Sequence, residues 1–442
     1  MPCTTEPLLK AGQSGEYLES VDHILVWGTE QEIGRSLAEL GQSRFGVRLA
    51  HYEAPEGAVL AAARRRYFER NWPEMRARMC GVAAFWGGET RLDTHDTSAL
   101  IYDLAPDSVP RSACSAAFLP RVCTVEEHPL VARNFDAWQR RPREIFNRNP
   151  KDKYDRNLYS RPFVMEISPA SGHQVLAIGG HDLLFPFQDA INDAGLFVTS
   201  LADRNPAVID HMSMAGGRNT GLTSRQVLLL LASRCATVAD AKTEILAHQV
   251  RMDTKLHWLI ADASGAATAL EIDDHGCVCF VDAPTKRQPF AITNHQLSQK
   301  TNAREHLGKP YNSFTRLVTL EDRAQALLKQ NQGKLTRRDA EELMDSVVCA
   351  YVDPDAAGVD PAHATLTIWT LTADLTAPDL EIGFYLRSGP PHPIPNRKTI
   401  EWKKWRLGFG FSRQDISEKP AAPPTVAASN RSEHAPAPVP TT

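Results

Sequence analysis

Ala113-Cys114-Ser115-Ala116-Ala117-Phe118, followed by Val131-Ala132-Arg133-Asn134-Phe135-Asp136, is where chemistry-bearing residues concentrate in this chain. The apolar runs Ala116-Ala117-Phe118-Leu119 and Leu130-Val131-Ala132 are bounded by Pro and charged residues, which is the texture of strands. A cysteine opens the first segment, and an arginine and an aspartate lie 19 and 22 residues beyond it. On their own, a cysteine in a strand is a packing residue and an Arg/Asp pair at a hairpin end is a structural ion pair. As a functional set, the thiol is a nucleophile, the arginine favours its thiolate, and the aspartate holds a cation beside it.

Strand texture begins near residue 96, with a further short run at Leu100-Ile101-Tyr102. Downstream, strands are expected at Leu256 to Ala261, Ala267 to Ile272, Phe290 to Thr293, Ala364 to Leu371 and Leu380 to Leu386. Helices are expected at Ser224 to Ser233, opened by a capping box of Thr223 and Gln226, at Val238 to Ala247, and at Arg337 to Cys349. Upstream, Thr29 and Glu32 have capping-box spacing, Ile33, Leu37 and Leu40 share one helical face, and Leu60, Ala63 and Tyr67 repeat the pattern until Pro73. Strands in runs and helices in runs imply an α+β fold with sheets layered between helices, not an alternating parallel sheet.

The 442 residues, 42% hydrophobic, suffice for one large core or two ordinary ones. With 49 Lys plus Arg against 53 Asp plus Glu, no broad field draws the chain to nucleic acid, and small or mixed-charge partners fit better. No run reaches the roughly 18 apolar residues of a membrane span, and Met1 to Leu25 lacks the features of a secretion signal, so a cytoplasmic protein is expected. Eight cysteines without paired spacing imply reduced thiols. Cys277 and Cys279 alternate on one strand face, which suits core packing better than a soft metal. No cofactor is implied. Trp402 to Arg406 reads as a surface packing segment, with anionic lipid as the alternative, and Pro420 to Thr442 as a disordered tail.

The two opening segments together resemble the nucleophile strand and its partner in cysteine N-terminal nucleophile (Ntn) hydrolases, the group of penicillin acyltransferase, bile salt hydrolase, penicillin V acylase and acid ceramidase; the penicillin acyltransferase branch is most similar. Further segments match in the same order: Asn192 to Val198, Trp258 to Gly265 with Glu271, Thr293-Asn294, and Asn312-Ser313-Phe314-Thr315-Arg316. Gly28 to Leu40 resembles the opening helix, so the likeness spans about residues 20 to 390.

The resemblance implies a four-layer αββα sandwich with two stacked, mainly antiparallel sheets. It implies cleavage between Ala113 and Cys114, giving a mainly helical segment 1–113, a catalytic domain 114–412 and a tail 413–442, with the two fragments remaining associated. Cys114, Arg133, Asp136, Asn294 and Arg316 would be catalytic, and an acyl-enzyme on Cys114 would hydrolyse or transfer a linear acyl amide or acyl thioester. A pseudoenzyme or binding protein of the same fold is the alternative. The chemistry is coherent: a freed α-amine titrates near ~8 and can take the thiol proton, the two arginines favour the thiolate, and the Asn294 side-chain amide can donate to an oxyanion. His295, adjacent to Asn294, is read as structural.

Two positions depart from the family pattern. Ala113 stands where relatives usually carry glycine, and Leu201-Ala202-Asp203 offers alanine where bile salt hydrolase relatives carry an oxyanion asparagine, which leaves a backbone N–H near Ala202 as the substitute donor. Phe163, Phe185, Phe187 and Met212, near the matched segments, are the candidate lining of an apolar acyl pocket.

Overall fold

The computed structural model describes residues 2–13, 16–51, 57–89, 94–102, 113–138, 157, 159–203, 221–251, 255–273, 277–284, 287–359 and 365–417. The chain runs β1 (Cys3–Leu9), β2 (Val21–Gly28), α1 (Glu30–Leu40), β3 (Ala50–His51), α2 (Gly57–Asn71), α3 (Pro73–Phe85), β4 (His95–Asp96), β5 (Ala113–Leu119) and β6 (Leu130–Trp138). It continues through β7 (Phe163–Pro169), β8 (Val175–Gly179), β9 (Asp189–Asn192), β10 (Phe197–Ala202), β11 (Leu222–Thr223), α4 (Ser224–Arg234), α5 (Val238–Leu246) and β12 (Val250–Arg251). The remainder is β13 (Leu256–Ala261), β14 (Ala267–Ile272), β15 (Val278–Asp282), β16 (Phe290–Ile292), α6 (Ser313–Gln330), α7 (Arg337–Asp345), α8 (Pro354–Ala357), β17 (Thr365–Asp374), β18 (Asp379–Pro391), β19 (Lys398–Gly408) and β20 (Ser412–Asp415).

Two large sheets form the centre. One has nine strands in the order β1-β2-β7-β8-β9-β10-β13-β14-β15, the other seven in the order β16-β5-β6-β17-β18-β19-β20. All pairings within them are antiparallel except β2 with β7. Strand alternation sorts the side chains into layers. Phe163, Met165 and Ile167 of β7 meet Ile33 and Leu37 of α1, Met75 and Met79 of α3, and the leucines of α4. Val164, between them, faces the other way and joins Leu176, Ile191, Phe197 and Leu259 against Ala116, Phe118, Val131 and Phe135 of the second sheet. On that sheet's outer face, Ala117, Leu119, Leu130 and Ala132 pack on Leu320 and Leu327 of α6 and Leu343 and Met344 of α7. The order is therefore helices, sheet, sheet, helices, the expected αββα arrangement.

Local rules set the element ends. Both expected capping boxes form, Thr29 with Glu32 and Thr223 with Gln226. The helix expected to reach Cys349 ends at Asp345, because Cys349 N–H turns away to donate to Thr367 Oγ1 at 2.7 Å. β17 extends to Asp374, whose carboxylate accepts from the N–H groups of Thr376 and Ala377 and starts the turn. Leu100 to Tyr102 makes only an isolated bridge, between Ile101 and Asp182. Cys277 is exposed and Cys279 half-buried, since β15 is the edge strand; neither packs in the core as expected. Trp402 to Arg406 lies within β19.

The described part of segment 1–113 holds the helices α1 to α3, which cover the outer face of the nine-stranded sheet, and also contributes β1 and β2 to that sheet. Order at the other end runs past residue 412 through β20. Pro420 to Thr442 lies outside the described residues, and no described helix is long and apolar enough to cross a membrane.

The crossing of α1 and α3 is set by two glycines. A Cβ on Gly34 would lie 1.9 Å from the Arg78 carbonyl oxygen, and one on Gly81 2.0 Å from that of Gln31. Backbone cannot yield as a flexible side chain does, so Gly81→Val should lower unfolding free energy by about 1–3 kcal/mol, read as a reduced denaturation midpoint. An unchanged midpoint would show that the helices separate freely.

Candidate active site

β5 and β6 pair with Ala113 opposite Asp136, Cys114 opposite Phe135 and Ala116 opposite Arg133. Cys114 therefore shares the inter-sheet face with Ala116 and Phe118, while Ser115 and Ala117 turn toward α6 and α7. The same alternation directs Arg133 into the inter-sheet layer, and Asn134 toward α7, where its Nδ2 donates to the Met344 carbonyl at 2.7 Å. Cys114 is only 1% exposed.

On the inner face, Arg133 donates to Cys114 Sγ at 3.4 Å and to the Ser200 carbonyl of β10 at 2.7 Å, and forms a fully buried ion pair with Asp189 of β9. Trp369 of β17 donates its indole N–H to the same Asp189 oxygen at 3.0 Å and stacks on Phe135 with ring centres 3.9 Å apart. The guanidinium carbon of Arg133 lies 5.0 Å from the centre of the Phe135 ring. Its plane is thus fixed from both sheets.

On the outer face, the Asn312 side chain caps α6 by accepting from Phe314 and Thr315 N–H, which aims Arg316 at β5. Arg316 donates to the Cys114 carbonyl at 2.6 Å, to Ser115 Oγ at 2.7 Å and to Asn294 Oδ1 at 2.6 Å. Asn294 Oδ1 also accepts the Cys114 backbone N–H at 2.9 Å, while Nδ2 donates to the Ala202 carbonyl at 2.7 Å. Donors on one side and a carbonyl on the other fix which way the amide points. The Asn294 amide nitrogen is thus committed to Ala202, which contributes a carbonyl to this contact.

Asp136 shares a row with Ala113 and Thr367, and its Oδ1 accepts from Thr367 Oγ1 at 2.6 Å. Its Oδ2 is buried without a hydrogen-bond partner. Burial pushes this carboxyl up to about 6, against the pull of Arg316 and the Thr367 hydroxyl. Burial also raises the Cys114 thiol, opposed by Arg133, so the thiol is protonated. His295 is held by Ser313 Oγ at 2.8 Å from Nδ1 and rests 4.0 Å from the Phe314 ring; burial lowers it to about 4, leaving it neutral.

The structure thus brings Cys114, Arg133, Asp136, Asn294 and Arg316 together around one backbone segment. It does not bring the expected acyl-pocket residues there. Phe163, Phe185 and Phe187 belong to the core on the far face of the nine-stranded sheet, among Trp72, Tyr102 and the outer helices, so they pack rather than line a pocket at Cys114. Met212 lies outside the described residues. Sequence reading missed Asp189, Thr367 and Trp369. The one available signal was Asp189, a carboxylate entering the apolar run Ala190-Ile191, which demands a buried partner.

No family model matches the chain, and no curated protein matches its sequence. Among solved structures, a mutant of the conjugated bile acid hydrolase from Clostridium perfringens is similar at 12% identity, covering 70% of this chain and 97% of that one, with a TM-score of 0.42. Penicillin V acylase from Agrobacterium tumefaciens is 13% identical, covering 66% and 90%, with a TM-score of 0.39. The Caenorhabditis elegans N-acylethanolamine-hydrolyzing acid amidase ortholog is 10% identical, covering 60% and 93%, with a TM-score of 0.37. At these identities and scores, activity has to be argued from the site's own geometry.

Removing Arg133 leaves Asp189 charged and unpaired between the sheets. Arg133→Leu should destabilise the fold by about 3–5 kcal/mol in denaturant titration, while the double change Arg133→Leu with Asp189→Asn should recover part of that loss. Equal stability of the single and double variants would mean that the pair is not coupled.

Proposed function

We propose that the chain is an autoprocessing Ntn amide hydrolase or acyltransferase acting on a linear acyl amide or thioester through Cys114. One observation carries this reading. Cys114 is held at three points at once, its N–H by Asn294, its carbonyl by Arg316 and its sulfur by Arg133. A packing thiol needs none of these, and each contact involves a charged or amide side chain brought from a different element. They are what a nucleophile that is also to become a chain terminus requires.

Processing begins with addition of the Cys114 thiol to the Ala113 carbonyl carbon. The C–N bond then breaks, the departing nitrogen takes the proton, and a thioester of residue 113 remains on sulfur. Water hydrolyses it, giving a carboxyl on residue 113 and a free thiol and α-amine on Cys114. This amine starts beside Asn294 Oδ1, with the partnerless oxygen of Asp136 one strand away, so its ammonium form has an anion to oppose it. At ~8 the amine is a competent base for the thiol. Arg133, already at sulfur, then favours the thiolate. A substrate amide undergoes the same addition and C–N cleavage, and water or an amine resolves the acyl-enzyme. The amine keeps a donor to Asn294 Oδ1, and turning the Asn294 amide nitrogen away from the Ala202 carbonyl frees it for the oxyanion.

Mass spectrometry of purified protein should show fragments 1–113 and 114–442. Cys114→Ala should abolish cleavage and turnover, whereas Cys123→Ala should do neither. A full-length, fully active chain would overturn the proposal. Both processing and turnover should decline as pH falls through about 6, where the Asp136 carboxyl takes up its proton; Asp136→Asn should be slow at every pH and lack that limb. Hydroxylamine should divert product from free acid to acyl hydroxamate, and an unchanged product ratio at normal turnover would leave hydrolysis alone.

A further inference from the structure

The uncleaved chain carries a template for its own substrate. In processing, residue 113 becomes the acyl group on Cys114 sulfur, the position any substrate acyl group later occupies. The surroundings of residue 113 are therefore the walls of the acyl subsite. The Ala113 methyl is fully buried against Tyr311, Cys349, Tyr351, Ala357 and Val359, a setting with room for a methyl-sized α-substituent.

Beyond it lies a second feature. Ala113, Asp136 and Thr367 form one row across the sheet, and the next positions outward on β17 are Leu366 and Thr365. These two line an open cavity of about 180 Å³, together with Tyr351, Val359, Lys398 and Glu16. The cavity thus continues the row of residue 113 toward the N-terminal ends of β5 and β17. Tyr351 and Val359 belong to both groups, joining the methyl setting to the cavity. Tyr351 is 9% exposed, and its hydroxyl is buried with no hydrogen-bond partner, a donor left unmade at the junction. Among the described residues the cavity lining holds one cation and one anion, Lys398 and Glu16, the latter engaged by the Tyr385 hydroxyl and the Ser388 N–H. This balance favours an uncharged polar group over a carboxylate or a hydrocarbon tail.

Resting on the amide-hydrolase reading above, we infer that the acyl group is peptide-like: an acylamino acyl group with a methyl-sized α-substituent and a second carbonyl, which accepts from the Tyr351 hydroxyl. A strand rise of roughly 3.3 Å per residue places that carbonyl one residue from the scissile one. The Cys114 thiol adds to the scissile carbonyl, the amine leaves with the thiol proton, and water returns the acyl group as an acid while restoring the thiol.

The test compares N-acetyl-alanyl para-nitroanilide with hexanoyl para-nitroanilide on the self-cleaved protein, reading kcat/KM together with the mass of the adduct on Cys114. The alanyl substrate should be favoured at least about tenfold, the scale of one well-placed hydrogen bond and branch. Tyr351→Phe, which keeps the ring, should narrow that ratio, and Val359→Phe, which fills the cavity, should narrow it further; thermal melting of each variant verifies folding. A hexanoyl preference, or a ratio that neither variant moves, overturns the inference. Labelling of Cys114 by other acyl amides but by neither of these overturns the peptide-like subsite alone. No adduct with any acyl donor overturns the amidase reading and this inference with it.

Discussion

The buried ion pair between Arg133 and Asp189 is the constraint on which the site depends. Each residue comes from a different sheet, and neither side chain has access to water. Desolvating two charges is expensive, and a hydrophobic pair of equal volume would often be as stable. What the pair provides is geometry. Arg133 can meet Asp189, the Ser200 carbonyl and Cys114 sulfur only if β6 stands in its observed register and the two sheets face each other at this point. A one-residue slip of β6 would turn Arg133 toward the helices and remove it from the sulfur.

Arg316 makes the complementary constraint from the opposite face. It touches the backbone of Cys114 and the side chain of Asn294, and not the sulfur. The two arginines thus divide the contacts: one addresses the Cys114 sulfur, the other the peptide group that bears it. Sheet alternation imposes that division, since a strand offers its side chain to one face and its backbone to neighbours within the plane. Before cleavage the arrangement is satisfied. Asn294 uses both ends of its amide, and burial keeps the thiol protonated. Under the proposed processing the Cys114 amine would still donate to Asn294, and the contact free to change is that of Nδ2 with the Ala202 carbonyl.

Much of this was legible in the sequence because it is local. The capping boxes at Thr29 and Thr223, the alternation of β5 and β6, and the apolar faces of the helices follow from neighbours within four residues. The grouping of Cys114 with Arg133, Asp136, Asn294 and Arg316 came from resemblance, and the structure brings those residues together. Long-range partners were illegible for a physical reason. Asp189 and Thr367 lie 56 and 231 residues from the groups they hold, and no period connects them. Phe163 and Phe185 show the converse error: strand alternation puts Phe163 on the outer face of its sheet, and Phe185, in the connection before β9, packs in the same outer core. The pairing of β2 with β7 was illegible for the same reason, since it joins residues about 140 apart.

That pairing constrains what self-cleavage can accomplish. A cut after Ala113 leaves β2 bonded along its length to β7, and α1, α2 and α3 still embedded in the core with Phe163, Met165 and Ile167. Departure of the whole segment would expose the outer face of the nine-stranded sheet, at about 25 cal/mol for each Å² of apolar surface returned to water. Under the proposed cleavage, release of the whole segment is therefore not how Cys114 would be uncovered. The change available to the fold is local: a new carboxyl end at residue 113 would withdraw from the row it shares with Asp136 and Thr367 while the described strands and helices before it stay in place. Activation, as proposed, would then be a displacement of a few residues. The space opened is bounded by Tyr311, Tyr351 and Val359, the same residues that now enclose the Ala113 methyl.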